Sequence, residues 1–68
     1  MNRDDRIKHY RQRIAEAQTE QAHLQAQIAN AHLEMGDAQI LAWRNRFAHL
    51  ERMEREYRAR LERALRDG

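Results

Sequence analysis

Ala31-His32-Leu33-Glu34-Met35-Gly36-Asp37-Ala38-Gln39-Ile40 is the stretch that decides how this chain folds. On its N-terminal side a seven-residue repeat runs from Ile7. It places Ile7, Ile14, Gln21, Ile28 and Met35 at position a, and Tyr10, Ala17, Leu24 and Ala31 at position d. A 3.5-residue spacing sustained this long marks one seam of a coiled-coil-like helix. Carried past Met35 the same register fails, because it puts Ala42, His49, Glu56 and Arg63 at a. Restarted at Ile40 it works again, with Ile40, Phe47, Glu54 and Leu61 at a and Trp43, Leu50, Tyr57 and Ala64 at d. The seam thus changes face between Met35 and Ile40, which one continuous coiled coil cannot do. Gly36 suits a left-handed helix end and Asp37 the N-cap of a following helix.

The expectation is an all-α fold: a single antiparallel αα-hairpin over residues 1–68. Helix 1 spans about 4–34, the turn about 35–37 and helix 2 about 38–66. Asn2, Asp4 and Asp5 are candidate caps for the first helix. Composition agrees, since the chain has no proline and only the glycines Gly36 and Gly68. Ala, Gln, Glu, Leu and Arg, all good helix formers, dominate the rest. Folding about Gly36 pairs residues whose numbers sum to about 71. Ile28 then meets Trp43, Leu24 meets Phe47, Ile14 meets Tyr57 and Tyr10 meets Leu61. Ala17 falls opposite Glu54 with Gln18 and Gln21 close by. This polar level either fixes register at some cost in stability or lets Glu54 reach out to solvent.

At 68 residues the chain has a thin stability margin and, lacking cysteine, no disulfide or thiolate metal site to widen it. A second copy is the remaining remedy. Helix 1 offers a surface for it in a second row, Ala15, Ala22, Ala26, Ala29 and Leu33, nearly opposite the seam. The plainer reading is that alanine, the best helix former, simply sits in solvent there. The reading adopted is a homodimer forming a four-helix bundle, with helix 1 inside and helix 2 outside.

Charge is unevenly spread. No Lys or Arg stands between Arg13 and Arg44, whereas Arg44 to Arg66 holds eight arginines and four glutamates. Glu51 and Arg55, Arg52 and Glu56, Glu54 and Arg58, Glu56 and Arg60, and Glu62 and Arg66 are spaced i,i+4. The expectation is a helix 2 surface neutralised by its own ion pairs. Phosphate tracking needs uncompensated cations, and the net charge is only +2. The least compensated group is Arg44, Arg46, His49 and Arg52, beside Trp43 and Phe47; with Arg55 it makes up the arginine-rich face of helix 2. That face is the expected partner-binding site, suited to an acidic protein surface.

No chemistry-bearing motif stands out. There is no serine or cysteine and one threonine, so neither a hydroxyl nor a thiol nucleophile is apparent. Glu20-Gln21-Ala22-His23 has the Glu-x-x-His spacing of di-iron bundles, but both residues lie off the seam. The expectation is no enzyme, no metal and no cofactor. The polar start, Met1-Asn2-Arg3-Asp4-Asp5, argues against an ordinary signal peptide, and no apolar run approaches ~20 residues. A cytoplasmic protein without a membrane partner is expected, Trp43 and Phe47 being required in the seam rather than at an interface.

Two heptad helices joined by a tight turn, with a second apolar stripe, resemble the Rop-like family of plasmid-encoded hairpins that dimerise into a four-helix bundle and bind RNA. In size and helical make-up the chain is also similar to the small dimeric helical proteins of bacteriophages that inhibit host proteins, such as the quorum-sensing anti-activator of Pseudomonas phages. Both resemblances are architectural. They imply a homodimer, and they imply either a regulator that blocks a host protein or, as the second reading, a hairpin that binds RNA or DNA. A structural or assembly spacer is the third.

Overall fold

A computed structural model describes residues 2–31 and 36–67. Two helices account for nearly all of them: α1, Arg3–Ala31, and α2, Asp37–Arg66. They lie side by side in a rod of 50 × 16 × 14 Å. At 1.5 Å rise per residue, helices of 29 and 30 residues are about 44 Å long, so each runs almost the full length. No strand occurs among the described residues, and the expected helical hairpin is the observed one.

Each helix end follows from its local sequence. Asn2 caps α1, its Oδ1 accepting from the Asp5 amide at 2.8 Å, while the Arg6 amide donates to the Asn2 carbonyl. Asp4 and Asp5 fall in the first turn, where carboxylates oppose the positive end of the helix dipole. Arg63 and Arg66 hold the corresponding place in the last turn of α2.

The turn departs from expectation at two residues. Gly36 is extended, with φ −69° and ψ 156°, rather than left-handed, and it is Gly36, not Asp37, that caps α2. Its carbonyl accepts from the amides of Gln39 and Ile40. Asp37 is instead the first helical residue, where its charge still favours the helix start. The glycine is not required by backbone geometry, since a Cβ placed on it meets nothing within 4 Å. Residues 32–35, and with them the expected end of helix 1 near residue 34, lie outside the described residues.

The core is the predicted seam. Ile14, Ala17, Leu24 and Leu50 are buried, and every other described a and d residue, from Ile7 to Ala64, is half-buried. Leu50 is only 3% exposed, and Ala17 only 4%. With the number sum of 71, Leu50 sits opposite Gln21, between the levels of Ala17 and Leu24. Observed cross-helix contacts straddle that sum: Tyr10 against Tyr57 gives 67, Gln21 against Glu54 gives 75. The other half-buried residues of the helix interiors are Arg13, Glu20, Gln27 and Met53, all at position g. Through the middle of the rod the g flank is therefore the better covered, although Arg6, Arg46 and Arg60 at g are exposed, whereas on the e flank Gln18, Gln25, Arg44, Glu51 and Arg58 are all exposed.

The polar level forms as a bonded unit. Gln21 donates from Nε2 to Glu54 Oε1 at 3.1 Å, and Arg58 donates from Nε to Glu54 Oε2 at 3.0 Å. The Glu54 side chain is 19% exposed, so its charge is held near the seam with partners on both oxygens. Gln18 takes no part and is exposed.

Candidate partner-binding surface

The expected site residues come from one helix, yet the fold distributes them around it. His49, Arg52 and Arg55 occupy positions c, f and b of α2, the strip farthest from α1, and all are exposed. Arg44 lies on the open e flank, where it borders a shallow depression of about 300 Å³ with Gln25, Ile28 and Phe47. Arg46 lies on the g flank, and its guanidinium crosses to α1, donating to both Glu20 oxygens at 3.1 and 2.9 Å. Arg44 and Arg46 thus stand on opposite sides of the seam, with His49, Arg52 and Arg55 between them on the outside.

Neutralisation along α2 is weaker than the spacing predicts. Of the five i,i+4 pairs, two close: Glu54 with Arg58 at 3.0 Å and Glu62 with Arg66 at 3.4 Å. Glu51, Arg52, Arg55, Glu56 and Arg60 form no ion pair among the described residues. Exposed pairs of long side chains gain little, about 0–1 kcal/mol, so spacing alone does not hold them together. Arg60 is drawn elsewhere: its guanidinium carbon stands 5.3 Å from the Tyr57 ring centroid.

The Arg46–Glu20 bridge was missed because i,i+4 spacing looks only along one helix. Both residues are at g, and g positions of antiparallel helices lie on the same flank, so the heptad positions allowed the pair although the number sum of 71 does not select it. A second pair, Arg13 with Glu16 at 3.2 Å, is local. Tyr57 first, and then Glu16, hold the Arg13 guanidinium above its ordinary pKa.

On α1, Ala15, Ala22, Ala26 and Ala29 are all exposed; Leu33 lies outside the described residues. Thr19 falls in the same row, and its hydroxyl donates back to the Ala15 carbonyl at 3.0 Å. The row therefore reads 15, 19, 22, 26, 29 at alternating spacings of four and three, a second small-residue seam. Among the described residues its nearby carboxylates, Glu16 and Glu20, are each matched by an arginine, Arg13 and Arg46. This face is electrically quiet, in contrast to the outside of α2.

The Glu20 and His23 spacing leads to no ligand set: Glu20 is engaged by Arg46, and no group of three His, Cys, Asp or Glu side chains gathers among the described residues. The depressions along the rod are open and shallow. No helix among the described residues is long and apolar enough to cross a membrane. Compared with known protein families, with curated proteins and with solved structures, the chain matches none.

Proposed function

We propose that this hairpin is a non-enzymatic protein-binding module that acts as a homodimer, with α1 packed inside and the arginine face of α2 turned outwards. The observation that carries the reading is the contrast between those faces: small and neutral along α1, charged along α2, where Arg52 and Arg55 are exposed and in no ion pair among the described residues. Surface area supports the dimer. A folded chain of 8.2 kDa exposes roughly 4,500 Å², whereas this one exposes 5345 Å². The excess of roughly 800 Å² is about what one partner contributes to a stable interface. Leu33 belongs to the proposed interface with Ala15, Ala22, Ala26 and Ala29.

The outward strip, His49, Arg52 and Arg55, with Arg44 on its e flank, engages an acidic surface of another protein, while Arg46 on the other flank is held by Glu20. Inhibition by steric blockade, as by a small regulator carried by a phage or mobile element against a host transcriptional regulator, is the role such a dimer fits. Sedimentation should give a dimer at micromolar concentration. The double reversal Arg52→Glu and Arg55→Glu should remove partner capture, with and without nuclease, while leaving helicity unchanged. A monomer, or undiminished capture, would count against the reading.

The second reading is nucleic acid, for which the excess of arginine over glutamate along α2, eight against four between Arg44 and Arg66, is the support. In that case capture would vanish with nuclease, and affinity would fall steeply as salt rises.

A further inference from the structure

Away from the face just described, the open end of the hairpin concentrates positive charge. Residues 2–13 and 56–67 together carry nine Lys and Arg against five Asp and Glu, a net of +4, while residues 14–55 carry four against six. On the g flank of this end a cleft of about 420 Å³ lies between the helices, floored by Tyr10 and Ala64. Arg3, Arg6, Arg60 and Arg63 surround it, with Asp67 the one carboxylate on its lining.

These four arginines are not equivalent. Arg3 is committed to the fold: it donates from Nε to the Ala64 carbonyl at 2.9 Å and from Nη2 to the Leu65 carbonyl at 3.3 Å. Those carbonyls belong to the last turn of α2, whose negative dipole end would otherwise repel an anion. Arg3 thus covers the groups least compatible with negative charge. Arg6, Arg60 and Arg63 form no ion pair among the described residues. Arg60 leans on Tyr57 from one side while Arg13 lies 5.7 Å from the same ring centroid, which restrains both side chains without neutralising either. Across the cleft, Arg6 stands in the first turns of α1, at the positive end of that helix dipole.

We propose that this cleft is a binding site for a phosphate-class polyanion, such as pyrophosphate or the diphosphate of a nucleotide. Guanidinium groups bind phosphate oxygens in bidentate pairs. Three uncommitted arginines converging on one cleft exceed what a single carboxylate can satisfy, and they match clustered phosphate oxygens. The site is separate from the outer strip at His49, Arg52 and Arg55, and it does not depend on the protein-binding reading.

The test is titration of the full chain with pyrophosphate at fixed ionic strength, read by the NMR signals of the arginine Nε–Hε groups and by calorimetry. Arg6, Arg60 and Arg63 should shift saturably, with Arg44, Arg52 and Arg55 unmoved, and acetate should produce no such pattern. Arg6→Glu with Arg63→Glu should weaken binding at least tenfold, with helicity retained because both side chains are exposed. Asp67→Asn should tighten it about twofold. Adenosine diphosphate binding as pyrophosphate does locates recognition in the phosphates; tighter binding would add a contact to the base. Shifts spread evenly over all arginines, equal response to acetate, or no saturable binding would each overturn the site.

Discussion

The middle of the hairpin and its open end are built from the same heptad pattern but held by different forces. At the middle, Leu50 packs at the level of Ala17 and Leu24, small against large, and water is almost excluded. At the open end the seam residues are Tyr10, Tyr57, Leu61 and Ala64, all half-buried. The Tyr10 and Tyr57 rings lie 6.0 Å apart, His9 meets the Tyr57 ring edge-on at 6.3 Å, and arginines cover what remains. Burial fixes the first region. The second is fixed by aromatic contacts, cation–π contacts and one arginine clamp, which leaves its charged groups free to meet a ligand. A two-helix protein has one short core, and charge tolerated at its end would be costly at its centre.

The sharpest way to break the contrast is Leu50→Ala. It removes the most buried apolar side chain and should cost about 2–5 kcal/mol, enough to unfold much of the population of so small a protein, as read by urea denaturation followed by circular dichroism. A loss below about 1 kcal/mol would mean that the middle is not the better-packed region.

Glu54→Leu works in the opposite direction, extending the apolar middle towards the open end. Replacing a half-buried charge in the seam should raise stability by about 1 kcal/mol or more, while removing the bonds to Gln21 and Arg58 that pin the register. A higher melting temperature with broadened NMR lines or mixed oligomers is the expected outcome; outright destabilisation would show that the polar level contributes net stability.

The smallest effect belongs to Arg3→Ala. Its two hydrogen bonds to carbonyls at partly exposed positions contribute about 1 kcal/mol at most. Hydrogen exchange should speed up in the last turn of α2 and stay unchanged near Leu50. Equal acceleration at both places would show that the two regions do not open separately.

The heptad phases were sufficient to place both helices and the seam, because the phase jump between Met35 and Ile40 coincides with a helix-breaking glycine. They were also sufficient to put Gln21 and Glu54 at one level, since register follows from the turn position. Gly36 was misread for a physical reason: glycine is compatible with a left-handed helix end and with an extended N-cap, and only the neighbouring backbone chooses between them. The spacing of charges on α2 was likewise a poor guide. An i,i+4 pair is available to two exposed side chains but not imposed on them, and Arg60 lies over the Tyr57 ring instead of against Glu56.

Sequence by itself determined that this chain is a helical hairpin with a thin core, that its seam runs through Ile14, Ala17, Leu24 and Leu50, and that its positive charge is uneven. Those properties depend on periodicity and composition, which are one-dimensional. The tertiary structure alone decided which flank of the seam is the better covered, that Arg46 reaches Glu20, and that Arg3 bonds the last turn of α2. It also brought Arg6, Arg60 and Arg63 together around one cleft. Each of those joins residues 26 to 62 positions apart, and such neighbours exist only once two helices have chosen a common side on which to meet.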